Sequence, residues 1–148
     1  MPLKERFILV KPQNELVSQY NNVVEFAINH ASQSGRNVRI CVPNKSSPSC
    51  EDFFSQVFDG QIYRALRNKK QLVSSGVKIG LFSSQTLRKE HILLDAVYLV
   101  TFPNAELLSV IESHGRKATV IVFGAVGEEI DVVDNWAQRY QPKPLNLA

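Results

Sequence analysis

Residues 96–123, AVYLVTFPNAELLSVIESHGRKATVIVF, contain one complete unit of the fold. Val97, Tyr98, Leu99 and Val100 are apolar at successive positions rather than at every second one. A strand of that kind is buried on both faces, which happens when helices cover both sides of a parallel sheet. Pro103 and Asn104 stop the run, and Leu107, Leu108 and Ile111 then recur at helical spacing until Gly115. Residues 119–123 return to a continuous β-branched run, so the stretch reads strand, helix, strand.

The same alternation extends through the rest of the chain. Phe7-Ile8-Leu9-Val10 is a first strand closed by Lys11 and Pro12, and a helix from about residue 15 to 32 places Leu16, Tyr20, Val23, Val24, Ala27, Ile28 and Ala31 on one stripe. Asn14 is the predicted N-cap of that helix and Gly35 its stop. Val38-Arg39-Ile40-Cys41-Val42 is a second strand, ended by Pro43. A helix starting near Ser49 carries Phe53, Phe54, Val57 and Phe58 and is expected to run on through Ile62, Leu66 and Leu72, with Gly60 as a point of breaking or bending. Residues 77–82 form a third strand, followed by a short helix bearing Leu87, His91 and Leu94. A last helix over residues 130–140 aligns Val133, Trp136 and Tyr140, and residues 141–148 are read as a short extended tail.

These elements predict a three-layer α/β/α sandwich with a five-stranded, mostly parallel sheet, Rossmann-like or flavodoxin-like, in one domain spanning residues 1–148. The expected strand orders are 3-2-1-4-5 or 2-1-3-4-5, the two common solutions for right-handed crossovers. A chain of 148 residues suits a single core. Its 44% hydrophobic and 21% charged composition excludes disordered, collagen-like and disulfide-scaffold classes.

Seventeen Lys and Arg against 14 Asp and Glu give a net charge of +3, which permits acidic partners without requiring them. The cations concentrate at Arg64, Arg67, Lys69, Lys70, Arg88 and Lys89, near predicted helix C-termini, where they are stabilising in their own right. With no helix-turn-helix, zinc-finger or aromatic RNA motif beside them, nucleic acid is an unfavoured partner. No apolar run approaches the roughly 20 residues of a membrane span, so no membrane partner is expected. Cys41 and Cys50 with no secretory leader predict a reducing cytoplasm. The scattered His30, His91 and His114 offer no metal-ligand spacing.

In open parallel sheets ligands bind beyond the carboxyl ends of the strands. The segments reaching that edge supply Lys11, Gln13 and Asn14 after strand one, Asn44 and Lys45 after strand two, Ser83 and Ser84 after strand three, Thr101 after strand four and Gly124 after strand five. Hydroxyls, amides and two lysines suit phosphate, ribose or carboxylate, although Ser, Asn and Thr equally serve any cap or turn. The expected function is therefore non-catalytic binding of a small anionic or nucleotide-like ligand, with no particular cofactor indicated. Gly124 to Glu129 has two glycines leaving a strand, but no dinucleotide or P-loop pattern accompanies them, and Glu128 and Glu129 would repel a phosphate there.

Two other functions fit the sequence. One is a protein-interaction or self-associating module, a homo-oligomer presenting Phe53, Phe58 or Trp136. The other is a hydrolase using Ser83 or Ser84 with His91 as base, although no Gly-x-Ser-x-Gly elbow is present.

Overall fold

The computed structural model describes residues 5–44, 48–68, 71–74, 76–89, 96–113, 118–125 and 130–145. In chain order the elements are β1 (Glu5–Lys11), a 3-10 turn (Gln13–Glu15), α1 (Leu16–Ser34), β2 (Val38–Val42), α2 (Pro48–Val57), α3 (Gly60–Arg67), β3 (Leu72–Ser74), β4 (Val77–Ser83), α4 (Ser84–Arg88), β5 (Val97–Thr101), α5 (Ala105–Glu112), β6 (Thr119–Ala125), α6 (Ile130–Tyr140) and β7 (Lys143–Pro144). The protein is α/β, with one mostly parallel sheet of seven strands ordered β3-β4-β2-β5-β6-β1-β7.

The sheet thus has seven strands, not five. The five expected ones are all present, and the two additions are short edge strands. β3 pairs antiparallel with β4 in the region where the second helix was expected to continue. That helix ends because Asp59 turns extended, with φ −54° and ψ 144°, and its side chain accepts a 2.7 Å hydrogen bond from the Gln61 amide. The carboxylate thereby caps a new helix, α3. β7 pairs parallel with β1 through Phe7↔Lys143 and Ile8↔Pro144, within the predicted tail.

Neither expected strand order is observed. Numbered among the five parallel core strands alone, the order is 3-2-4-5-1, because β1 joins the far side of β6 through the seven-residue register Glu5↔Thr119 to Lys11↔Ala125. From β1 to β2 to β4 the chain travels one way across the sheet; from β4 to β5, β6 and β7 it travels back. With right-handed crossovers, a reversal of travel puts the two sets of helices on opposite faces.

The packing follows this rule. Val38, Ile40, Val42, Val97, Leu99, Ile121 and Phe123 share one cluster with residues of α1, α2 and α3. The alternate strand positions Cys41, Tyr98, Val100, Val120 and Val122 belong to a second cluster with Leu87 of α4, Leu107 and Ile111 of α5, and Val133 and Trp136 of α6. β2 and β5 are buried at all five of their positions, as the uninterrupted apolar runs require. Cys41 and Cys50 fall in different clusters, both buried and neither in a disulfide.

Tyr20 of α1 sits at the centre of the first cluster with no exposed surface. Its ring packs at centroid distances of 5.0 Å from Phe53, 5.7 Å from Phe54, 6.0 Å from Phe58 and 5.6 Å from Phe123. Such tilted and edge-to-face contacts suit the ring quadrupoles. α1 ends where expected: Gly35 adopts φ +67°, the left-handed conformation that glycine reaches at least cost, and its amide bonds back to Ala31 and Ser32. Among the described residues no helix is long and apolar enough to cross a membrane.

Candidate ligand cleft at the carboxyl edge

β1, β2 and β5 all end at the same edge of the sheet, but the chain leaves β1 and β2 for helices of the first cluster and β5 for a helix of the second. Neighbouring connections that diverge in this way open a crevice, the usual place for a ligand in such sheets. A cleft of about 390 Å³ lies there, lined by Asn14 after β1, Leu16 and Val17 opening α1, Asp52, Phe53 and Gln56 of α2, and Phe102 after β5.

Phe102 is the most constrained residue of the cleft. Its φ is +55°, a conformation uncommon for any residue but glycine and an outlier for one this bulky. Strain of this kind costs on the order of 1–3 kcal/mol and persists only where the surroundings enforce it. Two contacts do so. The Phe102 ring meets Phe53 edge-to-face at 5.1 Å, and the preceding residue, Thr101, shares a 3.0 Å hydrogen bond with the Tyr20 hydroxyl beneath. Burial drives the Tyr20 phenol well above its ordinary titration range, only partly offset by the Thr101 bond, so it stays a neutral hydroxyl. On the other wall, Asp52 and Gln56 stand one helical turn apart, and the Gln56 amide donates to the Asp52 carboxylate at 3.2 Å.

Of the residues expected at this edge, the cleft gathers Asn14. Asn14 does not cap α1: Glu15 holds the N-cap position, with no side-chain cap bond, because the 3-10 turn shifts the helix start onward. Gln13 lies in the same turn. Lys11 ends β1 half-buried, at a position alternating with Phe7 and Leu9 and hence on the sheet face that α1 covers. Asn44 is exposed just past β2.

Thr101 is 2% exposed and committed to Tyr20. Ser83 caps α4, accepting from the Thr86 amide at 3.2 Å and lying 3.0 Å from the Thr86 hydroxyl. Ser84 is buried, its hydroxyl without a partner among the described residues. Gly124 is buried in β6 opposite Val10. Lys45, Lys69, Lys70, His91, His114, Glu128 and Glu129 lie outside the described residues.

Phe102, Gln56 and the cleft-lining position of Asp52 are not among the residues expected from the sequence. In the sequence, Asp52 stands three residues after the expected helix start at Ser49, where an acid suits any helix, and Phe53 belongs to an apolar face. Nothing in the sequence around Phe102 signals a positive φ.

Phe53 and Trp136, named above as docking aromatics, are only 6% and 5% exposed and belong to the two cores; Phe58 is half-buried against the first. Large exposed apolar side chains are instead Ile62 and Val73. The one described histidine, His30, lies 3.1 Å from Glu5 at the start of β1, at the opposite edge from Ser83 and Ser84. Arg67 and Arg88 pair with Glu51 and Glu106, as cations in last helical turns commonly do.

No protein-family model matches the chain, and no curated protein resembles it closely enough in sequence to indicate a relative.

Proposed function

We propose that this chain is a small three-layer α/β/α domain that binds a nucleotide-like ligand at its carboxyl edge without transforming it. The carrying observation is the strained Phe102, held against Phe53 at the rim of a cleft whose remaining polar walls are Asn14, Asp52 and Gln56. The half-buried Phe102 ring beside a carboxylate and two amides matches a planar heterocycle that stacks on one side and offers N–H and acceptor groups on its edge.

Among the described residues the cleft lining contains a carboxylate and no Lys or Arg, so in this reading a phosphate does not belong beside Asp52. An anionic end is better served by Lys11, at the end of the adjacent β1, and by the start of α1, where backbone N–H groups favour negative charge. In this reading Asp52 selects the heterocycle and Lys11 adds affinity for its charged end. The roles of two hydroxyls support binding rather than catalysis: Thr101 is bonded to Tyr20 and Ser83 caps α4.

The test is calorimetric titration of the purified chain with adenosine, adenosine monophosphate, guanosine monophosphate and inorganic phosphate. Nucleoside and nucleotide are expected to bind, Asp52→Ala to weaken both at least tenfold, and Lys11→Ala to weaken only the nucleotide. A domain that takes up none of them, or binding indifferent to Asp52→Ala, would refute the proposal.

A further inference from the structure

On the opposite face of the sheet, α5 and α6 leave between them a groove of about 490 Å³. α5 lines it with Ala105, Leu108, Ser109, Glu112 and Ser113, one stripe at i, i+3, i+4, i+7 and i+8; α6 does the same with Val132, Asn135, Trp136, Arg139 and Tyr140. Facing stripes of this kind normally interlock. Here three of the five positions on the α5 side are alanine or serine, and the other wall carries an indole and a phenol, so no described residue fills the volume between the helices.

The floor of the groove is electrically satisfied. Glu112 accepts from Arg6 Nε at 3.0 Å and Nη2 at 2.6 Å and from Trp136 Nε1 at 2.9 Å. The Arg6 guanidinium also lies 4.2 Å from the centre of the Tyr140 ring. A ligand therefore gains nothing from a second cation at the floor. The remaining charge on the lining is Arg139, exposed at the rim, its guanidinium 5.4 Å from the Tyr140 ring and with no described carboxylate paired to it. Asn135, also exposed, lies one turn before Arg139 on the same stripe.

We infer that this groove is a second binding site, for a flat amphipathic carboxylate whose apolar body lies against the half-buried Val132 and Tyr140, over the narrow exposed margins of Leu108 and Trp136, and whose carboxylate meets Arg139. The volume falls in the range of small-molecule sites. Arginine suits a carboxylate because its planar fork can donate two parallel hydrogen bonds. The inference is independent of the carboxyl-edge cleft, since the two sites share no residue.

Trp136 is the only tryptophan in the chain, so its indole N–H gives a single resonance that reports on this groove. The experiment titrates the ¹⁵N-labelled protein with 2-naphthoate and, in parallel, with uncharged 2-naphthamide. Naphthoate is expected to move the indole resonance saturably, naphthamide to bind at least tenfold more weakly, and Arg139→Gln to bring naphthoate down to the level of the amide. Asp52→Ala is expected to leave naphthoate binding unchanged. An indole resonance that stays still at millimolar naphthoate overturns the site; equal affinity for acid and amide, or retained affinity in Arg139→Gln, overturns the carboxylate assignment. Loss of naphthoate binding in Asp52→Ala overturns it as well, by moving the ligand to the other cleft.

Discussion

Replacing Tyr20 with Phe removes a single oxygen from the centre of the first core, and the structure dictates both the size of the effect and its pH dependence. The ring stays, so the contacts with Phe53, Phe54, Phe58 and Phe123 survive. What is lost is the 3.0 Å bond to Thr101, a residue 2% exposed with little access to water as a substitute. Leaving a buried hydroxyl short of its partner costs about 1–3 kcal/mol at neutral pH.

The pH dependence follows from the phenol. Burial raises the Tyr20 pKa in the folded state above the unfolded value near 10, so between those values the folded chain holds a proton that the unfolded chain has released. Stability from this group is complete below about pH 10 and declines as pH rises, by about 1.4 kcal/mol for the first full unit beyond it. Tyr20→Phe has no such group. Urea unfolding at pH 7 and pH 11 should therefore show the gap between wild type and variant narrowing by about 1.4 kcal/mol at the higher pH. The Tyr63 phenol is also raised by burial, and its decline is common to both proteins and cancels in the difference. A gap of the same size at both pH values would refute the claim that Tyr20 is held as a buried neutral phenol.

Two other substitutions test features of the fold. Arg6→Ala deprives the nearly buried Glu112 carboxylate of a two-pronged partner; allowing for the partial exposure of Arg6, urea denaturation should show a loss of about 2 kcal/mol, and a loss under about 0.5 kcal/mol would contradict this account. Gly35→Ala places a Cβ in open space at φ +67°, so its cost is conformational alone. About 1–2 kcal/mol is expected from the chemical midpoint, and an unchanged midpoint would mean that the α1 terminus relaxes freely.

Legibility in the sequence followed burial. β2 and β5 are enclosed on every side, so their apolar runs identify them without knowledge of their neighbours. β3 and β7 were not legible. Leu72-Val73-Ser74 and Lys143-Pro144 are short, largely exposed segments that become strands only because β4 and β1 are there to pair with. Strand order was equally out of reach, since the β1 and β6 partnership joins residues more than 100 positions apart and leaves no local mark.

The candidate cleft divides the same way. The rule that ligands gather at carboxyl edges located it and named Asn14, but its other wall comes from α2 folding over the edge, and no local pattern foretells which face of a helix will close a crevice. Hydroxyls that looked like ligands, Thr101 and Ser83, were drawn inward by the folded chain's own unsatisfied donors and acceptors.

The two marginal strands bear on how copies of this protein meet. An open parallel sheet presents a row of unpaired amides at each border, a template on which another chain can grow. Here the borders are finished by strands of two and three residues, too short to seed an extended intermolecular ladder. On the β1 side the last strand residue is Pro144, whose nitrogen carries no hydrogen to offer a newcomer. Leu145 then donates its own amide to the Ile8 carbonyl at 2.9 Å and is buried in the first core. The tail thus acts as a stopper against fibrillar growth at the border where the seven-residue β1 would otherwise face solvent.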